Sequence, residues 1–265
     1  MSDNFILYLE IILQILPDTL DLIILGILLL GTLATIFLYL LSLDSFVYLK
    51  TILQGLPDTL SLSILAILSA GILAIILSCL LSSNSKLLTK IIRTYIIIFT
   101  GSPLLVQLFL IYYGPSQFSE FLEELPAFYN FISSPWVCAY IALTLNSAAY
   151  TTQIFYGALK SIPQGQWQAC SALGMNKRQT LKILMPYALK RALSTYSNEV
   201  VFVVKGTALV SMITVMDLMG YSNALNGEYY DFTIFVIAGL IYLLINGILS
   251  TIMRIIEKIA LTFEN

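Results

Sequence analysis

Runs of about twenty apolar residues, separated by short polar breaks, recur along this chain, each near the length that a helix needs to cross a bilayer core. They fall at Leu20–Leu41, Leu60–Leu81, Tyr95–Tyr113, Trp136–Leu159, Glu199–Met219 and Phe232–Met253. Continuous runs of this length predict helices, because the strands of a membrane barrel are shorter and alternate. Composition agrees: of 265 residues 58% are hydrophobic and only 11% charged, against about 25% charged in soluble proteins. The mean hydropathy is +0.90. The expected fold is therefore all-α and integral to a membrane.

The first run is part of an internal repeat. Residues 12–42 and 52–82 share the phrase Ile-Leu-Gln-x-Leu-Pro-Asp-Thr-Leu and continue as similar apolar stretches. Shared apolar residues could arise from bias, whereas a shared Gln-x-Leu-Pro-Asp-Thr points to local duplication. Each Pro-Asp-Thr makes a sound helix entry, with Asp near the positive end of the dipole. Asp3 and Glu10 stand where a secretory signal would carry cations. Leu20–Leu41 is thus expected as an extra, passive span, joined to the next by the short segment Leu43 to Thr59.

Charge orients the spans. Lys86, Lys90 and Arg93 follow the second run; Glu120, Glu123 and Glu124 follow the third, with no cation; Glu228 and Asp231 precede the last. The positive-inside rule puts the loop after Leu81, the long loop after Leu159 and the tail with Arg254 and Lys258 in the cytoplasm. Residues 160–191 are the chain's longest polar interruption, with Lys160, Lys177, Arg178, Lys182, Lys190 and Arg191 and no carboxylate. Pro163 fits a first helical position, Gln166 to Leu173 make about two turns, and Gly174 sits where a left-handed terminator belongs. Asn176 and Gln179 read as a capping box opening a second helix, which Pro186 is expected to break or bend.

Little conventional site chemistry is available. The chain has no histidine, and Cys79, Cys138 and Cys170 show no CxxC spacing, so neither a metal site nor a disulfide framework is expected. Its sequence contains no Gly-rich phosphate loop, so any energy source belongs to a partner. Candidate functional residues are polar groups within spans. Gly101, Ser102 and Pro103 should kink the third run, as a packing feature or as a gate. Asn146, Tyr150 and Gln153 share one face of the fourth, as interhelical hydrogen bonds or as a lined pathway. Asn198 and Lys205 share a face of the fifth, with Glu199 a possible partner for Lys205; an ionisable residue here is functional or snorkels to the interface.

Several of these segments carry a resemblance. Gln168-Ala169-Cys170, then Gly174, then Ile183-Leu184-Met185-Pro186 resembles the EAA loop of membrane subunits of binding-protein-dependent ABC importers. Gln168 replaces the usual Glu, Cys170 the usual Ala, and the interval from Gly174 to Pro186 is one residue short. Gly101-Ser102-Pro103-Leu104-Leu105-Val106-Gln107 is similar to a segment of the polar amino-acid group of those importers, with Thr100 where Arg is usual. Residues 146–154 resemble its Ala-Tyr-x-x-Glu-Ile stretch, with Gln153 in the acidic position. Asn198-Glu199, Lys205 to Leu209 and Met219-Gly220-Tyr221 also match.

This resemblance implies a five-span permease domain over 49–265, preceded by the extra segment 1–48. It implies one half of a translocation pathway for an L-amino acid, arginine first, in a bacterial inner membrane, and no catalysis by the chain itself. Its partners would be an ATP-binding subunit that holds ATP and Mg, a second homologous permease, a periplasmic or surface amino-acid-binding protein and membrane lipid; nucleic acid has no part. Gln166, Trp167, Gln168, Ala169, Cys170, Gly174 and Pro186 would couple to the ATPase. The competing class is an ion-coupled secondary transporter, which usually carries multi-span inverted repeats and intramembrane carboxylates.

Overall fold

A computed structural model describes residues 43–82, 85–118, 131 and 133–262. The expected extra span Leu20–Leu41 and the acidic Glu120, Glu123 and Glu124 lie outside the described residues. Regular structure among the described residues is entirely helical. Helix α1 (Leu43–Ile52) runs through a 3-10 turn, Leu53–Gly55, into α2 (Leu56–Leu81). Helices α3 (Lys86–Gly101) and α4 (Leu104–Tyr113) follow, then α5 (Pro135–Lys160) and the short α6 (Gln164–Ala172). Helix α7 (Lys177–Thr207), a 3-10 turn at Val210–Ile213, α8 (Leu218–Tyr229) and α9 (Thr233–Thr262) complete the bundle.

The centre is α5 packed on α2, the most extensive helix pairing. Small residues make it so. On α2, Ala66, Ala70, Ala74 and Ser78 recur every fourth position and are buried, while Ile64, Leu68, Ile72 and Ile76 on the other side are exposed. Ala139, Ala142, Ser147, Ala148 and Ala149 are buried on α5. Small side chains let helix backbones approach closely, and the exposed isoleucines and leucines suit lipid.

Two continuous helices, Ser45–Leu81 and Thr233–Ala260, are long and apolar enough to cross a membrane. The pair α3 and α4, bent by 106° at its break, makes a third if counted as one span. Helix α5 is less apolar than these because its neighbours cover it, leaving little of it for lipid to solvate.

Three expectations about elements need correction, and a fourth is narrowed. Residues 43–59 are no connector: α1 is helical and packs Tyr48 and Ile52 against Leu218, Leu225, Ile234 and Ile241 of α8 and α9. Glu199–Met219 is not one span, because α7 ends at Thr207 and Asp217 restarts the chain as α8 by accepting a hydrogen bond from the Gly220 N–H at 2.8 Å. A side-chain acceptor there satisfies a free helical donor, so the chain breaks where an Asp can cap. Pro186 does not break α7, which is continuous through it; it and Lys182, whose carbonyl loses its partner, are both exposed, so water can serve that oxygen. Pro163 is the N-cap of α6, one position before the expected first helical position.

Candidate functional site: a loop helix and a cavity beside a broken span

Helix α6 stands at one end of the bundle, held by one face. Cys170 is buried against Leu159, Ile162, Leu184, Met185 and Ala188, with Trp167 packed at the edge. Gln166, Gln168, Ala169 and Gly174 are exposed, and Leu173 is 73% exposed. The outward side of this two-turn helix and its end thus consists of glutamines, an alanine and a bare leucine.

Local chemistry fixes both ends of this element. The Met175 N–H donates to the Cys170 carbonyl at 3.1 Å and the Gly174 N–H to that of Ser171 at 3.0 Å. This pair of bonds is a Schellman cap, and Gly174 has the positive φ of 69° that it requires. Asn176 Oδ1 then accepts from the Gln179 N–H at 3.0 Å, and Gln179 Oε1 from the Asn176 N–H at 2.9 Å, the capping box that starts α7. Lys177 Nζ donates to the Ser82 carbonyl at 3.3 Å, tying the loop to the end of α2.

A second locus lies at the break between α3 and α4. Pro103 has no N–H, and its extended backbone ends the α3 hydrogen-bond ladder, leaving carbonyls in search of donors. Side chains supply them. Gln107 Nε2 donates to the Phe99 carbonyl at 2.9 Å, the Ser102 carbonyl at 3.0 Å and Ser102 Oγ at 2.9 Å. Asn146 Nδ2 on α5 donates to Gln107 Oε1 at 3.0 Å and the Phe99 carbonyl at 3.1 Å. The Tyr150 hydroxyl donates to the Thr100 carbonyl at 3.1 Å. Gly101, the last residue of α3, is exposed, as is Pro103.

Beside this clamp is a cavity of about 560 Å³ between α4, α5 and α7. Ser102, Pro103, Asn146, Tyr150, Glu199 and Lys205 all line it, with Ser147 and apolar groups between them. Glu199 is buried and has Ser147 as a hydrogen-bond partner. Lys205 is exposed, its ammonium 5.8 Å from the centre of the Phe202 ring. Within the chain Glu199 and Lys205 form no ion pair, and both line the cavity. Gln153 and Asn198 are exposed and outside its lining.

Three residues escaped the sequence reading, two at these loci and one at the start of α8. Gln107 carries the clamp although it merely closes the quoted proline segment. Ser147 is visible only through its contact with Glu199. Asp217, wholly buried, is an acid in an apolar stretch, which was signal enough to single it out.

Comparison with known proteins agrees with this geometry. Residues 70–259 match the family model of the binding-protein-dependent transport system inner membrane component. The chain is 62% identical over 174 residues to the arginine ABC transporter permease protein ArtM of Escherichia coli K12, covering 66% of this chain and 78% of that protein. It is 56% identical over 181 residues to ArtM of Haemophilus influenzae, covering 68% and 79% respectively. Among solved structures, an amino acid ABC transporter crystallised with histidines is similar at a TM-score of 0.71 and 27% identity, over 82% of this chain and 97% of that one. These relatives are transport permeases of ABC importers, which selects the importer reading over ion-coupled transport. The chain belongs to the family of inner membrane components of binding-protein-dependent transport systems.

Proposed function

We propose that this chain is the permease subunit of an ATP-driven importer of L-amino acids, with arginine its substrate, in the inner membrane of a bacterium. The observation that carries the substrate is the 62% identity to an arginine permease. The cavity is compatible with it: a buried carboxylate, Glu199, and neutral hydrogen-bonding groups on Ser102, Asn146 and Tyr150 border one space. A guanidinium pairs well with a carboxylate, forming charge-assisted hydrogen bonds. Glu199 is the pathway residue that meets the substrate's cation; Lys205, on the same wall, orients it by repulsion. Gln153 and Asn198, outside the cavity, meet the second permease copy's side of the pathway.

The permease domain, 49–265, crosses the membrane five times, the duplicated segment 1–48 adding one further span. The chain pairs with a second homologous permease, and a periplasmic or surface amino-acid-binding protein delivers the substrate. ATP and Mg bind to a separate ATP-binding subunit, whose surface receives α6 through Gln166, Trp167, Gln168, Ala169 and Cys170. Gly174 and the α7 turn at Pro186 transmit that movement to the spans. ATPase closure pushes α6, and the spans rock as rigid bodies about the midplane cavity. Gly101, Ser102 and Pro103 form the hinge beside it.

The test is uptake of radiolabelled arginine into ATP-loaded vesicles containing the chain with its candidate partners, with lysine and histidine as competitors. Glu199→Gln removes one charge-assisted contact, so uptake is expected to fall roughly tenfold or more. Undiminished uptake would move substrate contact to the partner permease. No ATP-dependent uptake of any amino acid would sink the importer reading.

A further inference from the structure

Helix α3 carries a feature that lies outside the cavity of the proposed pathway. Lys86, Lys90 and Arg93 stand at i, i+4 and i+7, one stripe of the helix, and line a groove of about 460 Å³ with Ser85, Thr89 and Thr94. Leu88 and Tyr95 on the opposite face, with Ile92 and Ile96 beside them, pack with Leu81 of α2, so the stripe points away from the bundle. All three cations are exposed. Among the described residues no ion pair or hydrogen bond holds any of them.

Their position is electrostatically adverse. The first turns of a helix carry the positive end of its dipole, where anions are favoured and cations are not. Lys86 in the first turn of α3, with Lys90 and Arg93 one and two turns further on, therefore raises a local positive potential that no acidic side chain among the described residues pairs with. The positive-inside rule explains cations on this side of the membrane, but not their alignment along one groove. The groove also has an apolar border. Ile97 continues the stripe at i+11, and Leu87 at 70%, Ile91 at 57% and Ile98 at 56% exposure flank it.

From this juxtaposition we infer that the groove is a binding site for an anionic phospholipid of the cytoplasmic leaflet, its phosphate held by Lys86, Lys90 and Arg93 and its acyl chains laid along Leu87, Ile91 and Ile97. The end of the bundle fits that depth. Residue 85 follows within a few residues of Ser82, whose carbonyl is bonded by Lys177 of the basic loop, so the groove and the loop helix share one end. The Thr89 hydroxyl adds a donor for a phosphate oxygen. The apolar border commits the site to lipid, since a free phosphate or an acidic protein surface has no use for it.

The experiment is native mass spectrometry of the purified transporter complex, released from nanodiscs containing phosphatidylglycerol and phosphatidylcholine in equal amounts. Wild type is expected to retain phosphatidylglycerol selectively. In the K86Q/K90Q/R93Q variant that selectivity falls on the order of tenfold or more; R93Q alone gives a partial loss, and the charge-keeping K86R/K90R/R93K retains it. Undiminished selectivity in the triple glutamine variant overturns the site. So does loss of the co-purifying ATPase with lipid retention unchanged, which would make the stripe a protein interface.

Discussion

Gln107 decides whether the chain can break inside an apolar segment. In hydrocarbon an unpaired carbonyl has no water to turn to, so a sharp bend at Pro103 is stable only if side chains meet the freed oxygens. Gln107, 5% exposed, meets two of them and offers its own Oε1 to Asn146. Gln107→Leu keeps the volume and leaves the Ser102 carbonyl orphaned, at a cost of about 1–3 kcal/mol. The purified protein should melt at lower temperature by circular dichroism, whereas Gln153→Ala, whose side chain is exposed, should not change it. An unaltered melting temperature for Gln107→Leu would mean that water, not this amide, serves the break.

Among the elements, the loop helix makes the most exact demand on its residues. Gly174 has open space around it, so a side chain there meets no neighbour; its φ of 69° is the constraint. A β-branched residue in the left-handed region costs about 1–2 kcal/mol. Gly174→Val is expected to unwind the Schellman cap and loosen α6 from α7 while leaving the spans assembled. ATP hydrolysis in reconstituted vesicles should then continue with arginine uptake reduced several-fold, and an unchanged ratio of transport to hydrolysis would remove the coupling role. This loop was readable from sequence because cap chemistry is local: Gly174, Asn176 and Gln179 each act within a few residues. The proline kink was readable for the same reason, though its 106° was not, because the angle depends on Gln107 and Asn146 meeting across helices. The end of α7 at Thr207 was hidden, since Ala208 to Met216 is apolar enough to pass for more helix. So was α1, whose stability comes from packing on α8 and α9 and not from its own short sequence. In the cavity, Glu199 and Asn146 stood out as polar residues in apolar runs, but nothing local distinguished Gln153, which lies outside the cavity, from Tyr150, which lines it.

Over the whole molecule, two packed groups meet along the contact between α7 and α9 and at a buried polar crossing. Helices α2, α4, α5 and α7 share one apolar cluster, and α1, α8 and α9 another. The crossing lies at the start of α8: Asp217 Oδ2 accepts from the Tyr242 hydroxyl of α9 at 3.0 Å, while the neighbouring Leu218 N–H donates across to Thr59 Oγ1 of α2 at 3.1 Å. A Cβ on Gly55 would collide with the Asp217 backbone, so only glycine lets the start of α2 lie against the start of α8. Gly55→Ala forces the two groups apart, at a cost of about 1–3 kcal/mol for overpacking. Tyr242→Phe leaves one carboxylate oxygen unpaired, at a similar cost of about 1–3 kcal/mol. Because both changes act on Asp217, their effects should not add: once α8 has shifted away in Gly55→Ala, less of the Tyr242 bond remains to be lost. Melting temperatures of the two single variants and the double variant measure this coupling. A double variant less destabilised than the sum places the crossing in one cooperative unit, and strict additivity would show that the two helical groups are held together elsewhere.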